Sequence, residues 1–200
     1  MSWTAHDIET WLGNCADRMT QAAPELNTLD GQLGDGDLGA TLQKCAALMK
    51  AGLSGTAALP SDAFKTAASA CARASGSSFG TLLAVALLVL AQETAGKPTL
   101  LVQDMAPLLE KIIAALMLRG RSKLGDKTAL DSLEAIRLAV SNLQDAEDLQ
   151  LLCSAAAERA IEDFRMRPNL IGRARMFAEK SVGLADPGMV AVARIVGRAA

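Results

Sequence analysis

"TLLAVALLVLAQET", residues 81–94, contains the longest strongly apolar run of the chain. The run from Thr81 to Ala91 carries no charge and is too short to span a bilayer. A glycine- and serine-rich break, "ASGSSFGT" (74–81), leads into it and Pro98 closes the segment behind it. Read as a helix it is apolar on nearly every side. Such a helix has no face to offer water, which places it at the centre of a helical bundle.

Working outward, the apolar period is helical almost everywhere. Thr4 and Asp7 form a capping pair ahead of Ile8, Trp11, Leu12, Cys15 and Met19, a first helix predicted to stop before Pro24. A second helix is expected from about Gly39 to Gly52, and a third from Pro60-Ser61-Asp62 toward Ser75. The apolar helix is the fourth. A fifth covers about Val102–Leu118, a sixth Leu130–Val140 and a seventh Asp145–Arg165. Asp186 followed by Pro187 is a cap with proline in the first turn, and it opens an eighth helix ending near Arg198. No stretch reads as a convincing strand. The expectation is an all-α fold of about eight helices forming one domain over residues 1–200.

Composition agrees. The chain has 200 residues, of which 50% are hydrophobic but only 3% aromatic, with no tyrosine. Cores built on Ala and Leu suit close helix–helix contact. A net charge of −2 argues against bulk affinity for nucleic acid. Cys15, Cys45, Cys71 and Cys153 are widely spaced and read as small core residues in a reducing compartment. The N-terminus lacks the basic-then-apolar layout of a signal peptide, so a soluble cytoplasmic protein with no membrane association is expected.

Four loops carry the unusual residues: "GDGDLG", "ASGSSFG", "RGRSKLGDKT" and "GRARMF…DPG". Loops at one end of an up-and-down bundle meet. If these four share an end, they form a polar, glycine-lined mouth. The most acidic of them belongs to "LDGQLGDGDLGAT" (29–41), which sets Asp30, Asp35 and Asp37 among four glycines with no Lys or Arg to offset them. Carboxylates without His or Cys suit a hard cation, and Mg²⁺ fits. A calcium loop needs a glutamate at its twelfth position, where counting from Asp30 gives Thr41 and from Asp35 gives Ala46. A helix beginning near Gly39 offers its N-terminus to phosphate.

Residues 101–200 hold two clusters of basic residues, Arg119, Arg121, Lys123 and Lys127, then Arg165, Arg167, Arg173, Arg175 and Lys180. Beside a metal-like loop they read as phosphate or partner contacts. "GRSKLGDKT" (120–128) nearly matches a Walker A loop, but Asp126 intrudes between Gly125 and Lys127 and a helix precedes it. His6 is the one histidine and stands at the start of the first helix. With no nucleophilic triad, chemistry here rests on metal, positioning and charge, the style of phosphoryl transfer.

In this order and at these spacings, "LDGQLGDGDLG", "ASGSSFGT", "GDKT", "GRA" and "VGLADPG" resemble the nucleotide-binding L subunit of dihydroxyacetone kinase over essentially the whole chain. The resemblance implies an antiparallel eight-helix barrel that binds ADP or ATP at one end through two Mg²⁺ ions. It makes Asp30, Asp35 and Asp37 the metal ligands and, with Arg173, the catalytic set. Leu38, Gly39, Ala40 and Thr41 would lie against the phosphates, with Ala74, Ser75 and Gly76 close by. Gly120 and Ala129 would border the adenosine, and Arg173 with Asp186, Pro187 and Gly188 would complete the pocket.

The same resemblance implies that the sugar sits on a separate K-type subunit. It also admits a phosphotransferase-system donor protein and a second copy of the chain as partners. Position 38 departs from the family, which carries histidine there. That departure leaves open an alternative, a nucleotide-bound regulatory or scaffold protein.

Overall fold

The computed structural model describes residues 2–74, 76–141, 143 and 149–197, without the side chains of Arg173 and Phe177. Eight α-helices account for most of them: α1 (Ala5–Leu33), α2 (Leu38–Gly52), α3 (Pro60–Ala74), α4 (Ser78–Glu93), α5 (Met105–Gly120), α6 (Ala129–Val140), α7 (Leu149–Phe164) and α8 (Pro187–Val196). Short 3-10 turns cover Val102–Asp104, Arg173–Phe177 and Glu179–Ser181. The all-α expectation stands, with one addition. Ser2–Trp3 (β1) pairs antiparallel with Leu100–Leu101 (β2), too short a ladder to leave a sequence signal.

Each helix packs on its sequence neighbours and α8 returns to pack on α1, so the staves form a closed ring. Leu12, Met19, Leu26, Leu42, Met49 and Met189 are sealed between them. Each such side chain contributes roughly 1.5–3 kcal/mol on leaving water. Cys15, Cys45, Cys71 and Cys153 are buried free thiols, as expected of core residues. Burial pushes the Cys15 thiol up to about 12, out of the reactive range.

Two expectations fail on tertiary grounds. The apolar α4 is not central: only Gly80, Leu87 and Ala91 are buried, and Leu88 is 47% exposed. In a ring no helix is surrounded. Leu82, Val85, Ala86 and Val89 instead pack beside Ile112, Ile113, Leu116 and Leu130 of α5 and α6.

The first helix also does not stop at Pro24 but runs through it to Leu33. An interior proline costs about 3 kcal/mol. Here Ala22, Ala23 and Leu26, buried on both sides of it, repay that by packing against α2, and the Thr28 hydroxyl donates to the Pro24 carbonyl at 3.0 Å. Asp30 is consequently helical, and only residues 34–37 form the loop. The opening of α7 predicted at Asp145, the Arg198 end of α8 and Ser75 lie outside the described residues.

Helices joined by short loops run antiparallel around the ring. The connections α1–α2, α3–α4 and α5–α6 therefore fall at one end. The long α7–α8 connection is tied to the same end by Leu170 N, which donates to the Asp126 carbonyl of the α5–α6 loop. These are the four loops singled out in the sequence.

Candidate functional site

The passage of α1 through Pro24 puts Asp30 in its last turns, where a helix presents unsatisfied carbonyls and disfavours negative charge. A carboxylate there does not serve the helix. Its Oδ2 accepts from the amides of Asp37 at 3.0 Å and Leu38 at 3.3 Å, which fixes it over the 34–37 loop. Gly34 makes room, since a Cβ there would lie 2.6 Å from Asp30 Oδ1. Gly36 turns the chain at φ +75°, a conformation costly to any residue with a Cβ. Asp30, Asp35 and Asp37 each bring a carboxylate oxygen within 4.8 Å of the others, with Asp30 half-buried and the other two exposed. The donor set is all oxygen, as a hard divalent cation requires.

Asp37 holds the N-cap position of α2 but makes no capping hydrogen bond. Its backbone lies at φ −106°, ψ 0°, not in the extended region that capping residues adopt. Asn27, from α1, caps α2 in its place: Oδ1 accepts from Ala40 N at 3.1 Å. Asn27 is a site residue that sequence reading missed. Its role depends on how α1 lies against α2, which no local spacing reports. Gly39 permits that approach, because a Cβ at this position would sit 2.0 Å from the Ala23 carbonyl oxygen.

The start of α2 is less open to phosphate than expected. The Leu38 amide is donated to Asp30, that of Ala40 to Asn27, and that of Thr41 to the Asp37 carbonyl at 2.9 Å. The Leu38 side chain joins the core, and Thr41 is buried.

At the other loops, Ala74 ends α3 and Gly76 is exposed, with open space where a Cβ would be. Ser77 caps α4, accepting from Gly80 N at 3.3 Å. Gly120 ends α5. Ala129 and Gly188 are brought together, a Cβ on Gly188 lying 3.6 Å from that of Ala129. Arg173 opens a 3-10 turn that touches α1, and its side chain lies outside the description.

Asp186 is occupied structurally. Oδ1 accepts from Met189 N at 2.9 Å and Oδ2 from Asn169 Nδ2 at 2.7 Å. Burial holds its carboxyl up at about 6. Pro187 is buried in the first turn of α8.

The basic groups divide. Lys127 is not a phosphate contact: it is 0% exposed, and its ammonium donates to three backbone carbonyls. Arg165 pairs with Glu162, and Arg167 stacks over Phe164 at 4.3 Å. A groove of about 720 Å³ runs between α6 and α7, over Ala135, Ala139, Ala156 and Ala160, and no predicted site residue lines it. No described helix is long and apolar enough to cross a membrane.

Known proteins resemble this chain over most of its length. The chain is 29% identical over 179 residues to the ADP-binding subunit DhaL of the PEP-dependent dihydroxyacetone kinase 1 of Listeria innocua, covering 89% of this chain and 86% of that one. It is 27% identical to the corresponding subunit of Escherichia coli, covering 96% and 94%. It is 28% identical to an L-erythrulose kinase of Pectobacterium atrosepticum, matching 96% of this chain but 34% of that protein.

Among solved structures, the dihydroxyacetone kinase of C. freundii superposes with a TM-score of 0.73 at 20% identity, over 94% of this chain and 33% of the kinase. The same kinase in complex with AMP-PNP and Mg²⁺ gives 0.72. The chain thus spans about a third of those kinase chains, and at this identity the likeness bears on the fold. With the model of the DAK2 domain matching residues 32–200, the chain belongs to the DAK2-domain family.

Proposed function

We propose that this chain is the ADP- or ATP-binding subunit of a kinase acting on a keto-sugar of the dihydroxyacetone type. The carrying observation is the convergence of Asp30, Asp35 and Asp37 at the end of the ring where the four distinctive loops lie. Three carboxylates within 4.8 Å repel one another, and a divalent cation with bound phosphate relieves that repulsion. Mg²⁺, when bound, gathers phosphate oxygens and offsets the charge that develops on them.

The chain's own residues prepare the site. Two amides fix Asp30, Asn27 relieves Asp37 of capping, and Gly34 leaves the carboxylate its space. Asp35 and Asp37 stand exposed at the mouth, where with Asp30 they would hold Mg²⁺, two ions in this reading. Arg173, on the turn that touches α1, is the residue we assign to phosphate charge. In this reading the acceptor hydroxyl belongs to a sugar held on another subunit, as in the family the sequence resembles. A K-type partner subunit supplies it.

Isothermal titration with ADP and Mg²⁺ tests the reading. Binding is expected for the wild type and lost in Asp35→Ala and Asp37→Ala; unchanged affinity in those variants would sink it. Mass analysis of nucleotide carried through purification separates two modes. Retained ADP indicates recharging by a phosphotransferase-system protein, whereas an empty site indicates exchange of ATP.

One observation favours a second reading, a regulatory protein that binds nucleotide without transfer. Leu38 is buried in the core and offers only its amide, already given to Asp30. That reading requires that no phosphorylated sugar form when a K-type subunit and dihydroxyacetone are supplied.

A further inference from the structure

We propose that Lys127 is a positioning residue for the nucleotide site, holding both arms of the α7–α8 connection and so fixing the Gly172-Arg173 turn. This inference rests on the nucleotide reading above. The connection, residues 165–186, contains no regular structure beyond its two 3-10 turns and would be free to move by itself. Lys127 ties it shut. Its Nζ donates to the carbonyls of Arg165 at 3.1 Å and Arg167 at 2.7 Å on the outgoing arm, and of Ser181 at 2.8 Å on the returning arm. Those are all three donors an ammonium has.

Further bonds lock the same knot. Asn169 Nδ2 donates to the Lys127 carbonyl at 2.9 Å and to Asp186 Oδ2 at 2.7 Å. Leu170 N donates to the Asp126 carbonyl at 3.1 Å, and Gly183 N to that of Arg165 at 2.9 Å. Lys127 and Asn169 together therefore join two of the four loops: the "GDKT" turn in one, and the arms flanking Arg173 with the cap of α8 in the other.

The cost of the arrangement argues that its geometry matters. Lys127 adopts φ +61°, strained for a residue with a Cβ, and its charge is fully buried. Burial depresses the Lys127 ammonium, partly offset by the nearby Asp186 carboxylate. Apolar residues of similar size would spare the cost of a buried charge. What they lack is the ability to gather carbonyls from two separated arms into one fixed arrangement.

The test is Lys127→Met in the full chain, which keeps length and removes the ammonium. Two probes are used, Mn²⁺ alone by electron paramagnetic resonance and ADP with Mg²⁺ by calorimetry. Affinity for Mg-ADP is expected to fall about 10-fold or more, because a displaced turn no longer presents its groups to the phosphates. Mn²⁺ affinity at the aspartates should stay within about 2-fold, because the hydrogen bonds of the Lys127 ammonium go to Arg165, Arg167 and Ser181 and not to α1 or the 34–37 loop. Amide exchange should speed up at Leu170 and Gly183 and not in α1–α3.

A merely structural role would move both affinities together, which overturns the proposal, as would Mg-ADP affinity unchanged from wild type. Should Lys127→Met not fold, Asn169→Ala keeps the ammonium but frees the Lys127 carbonyl, and the same split is required of it. Failure of the wild type to bind Mg-ADP refutes the functional reading and this inference with it. Wild-type binding with an indifferent Lys127→Met refutes the inference alone.

Discussion

Asn27→Ala is the sharpest probe of how the acidic loop is built. The substitution removes the acceptor that satisfies Ala40 N at 3.1 Å and leaves the first turn of α2 uncapped. A lost cap costs about 1 kcal/mol. Asp37 already stands at the N-cap position, and an aspartate there is among the best caps. Relaxing its backbone from ψ 0° to the extended region lets its carboxylate take the amide and recover most of that loss.

The same movement pulls Asp37 N from Asp30 Oδ2 and withdraws the Asp37 carboxylate from the cluster. Cation binding must then reverse the capping, at a cost of about 1 kcal/mol, or roughly 5-fold in affinity. The expected result is an apo stability within about 0.5 kcal/mol of wild type together with Mn²⁺ binding roughly 5-fold weaker. Urea titration reads the first quantity and electron paramagnetic resonance the second. A full cap loss in stability with Mn²⁺ affinity untouched would refute the exchange of roles. In the Asp37→Ala background, Asn27→Ala should then cost its full cap in stability, the coupling a double-mutant cycle detects.

Three further outcomes follow from the same contacts. Gly39→Ala drives a methyl to 2.0 Å from the Ala23 carbonyl oxygen and should destabilise by about 1–3 kcal/mol, lowering the urea midpoint while parting α1 from α2. Pro24→Ala should raise stability by about 1–3 kcal/mol, because α1 already runs through the position and regains a backbone donor; a loss would mean the proline ring itself packs productively. Asp186 is held at about 6 against 3.8 unfolded, so its ionised form is penalised in the fold. Its contribution is worst above pH 6 and improves as pH falls toward 4, by roughly 2–3 kcal/mol, and Asp186→Asn should remove that component of the pH–stability curve. An identical slope in the variant would contradict the burial argument.

The legible parts of this protein are those whose determinants are neighbours in sequence. The Thr4–Asp7 box and the Asp186-Pro187 start appear as read, because a cap acts within one turn. The acidic triad was legible because three aspartates within eight residues are already neighbours, although their convergence also draws on Gly34 and on the amides that hold Asp30.

The misreadings all needed a second element. Pro24 breaks an isolated helix but not one whose flanking alanines are pressed against α2. The run 81–91 demands burial, yet hydropathy does not tell a central helix from a stave that shares its apolar surface with α5 and α6. Lys127 looked like one of four cations for phosphate or partner contact, and its three carbonyl partners lie some 40 to 50 residues away in the chain.

Asn27 is the most instructive case. Nothing near it marks it as functional, while Asp37 carries the marks of a helix cap. The structure exchanges the two roles. A neutral amide can satisfy an N-terminal amide group as well as a carboxylate can, whereas only the carboxylate can answer a divalent cation. Assigning the cap to α1 therefore keeps the charged group for the ligand, and it requires α1 to pass Pro24 so that Asn27 and Asp30 share its last turns. The irregularity that misled the reading of the first helix is thus the one that the site depends on.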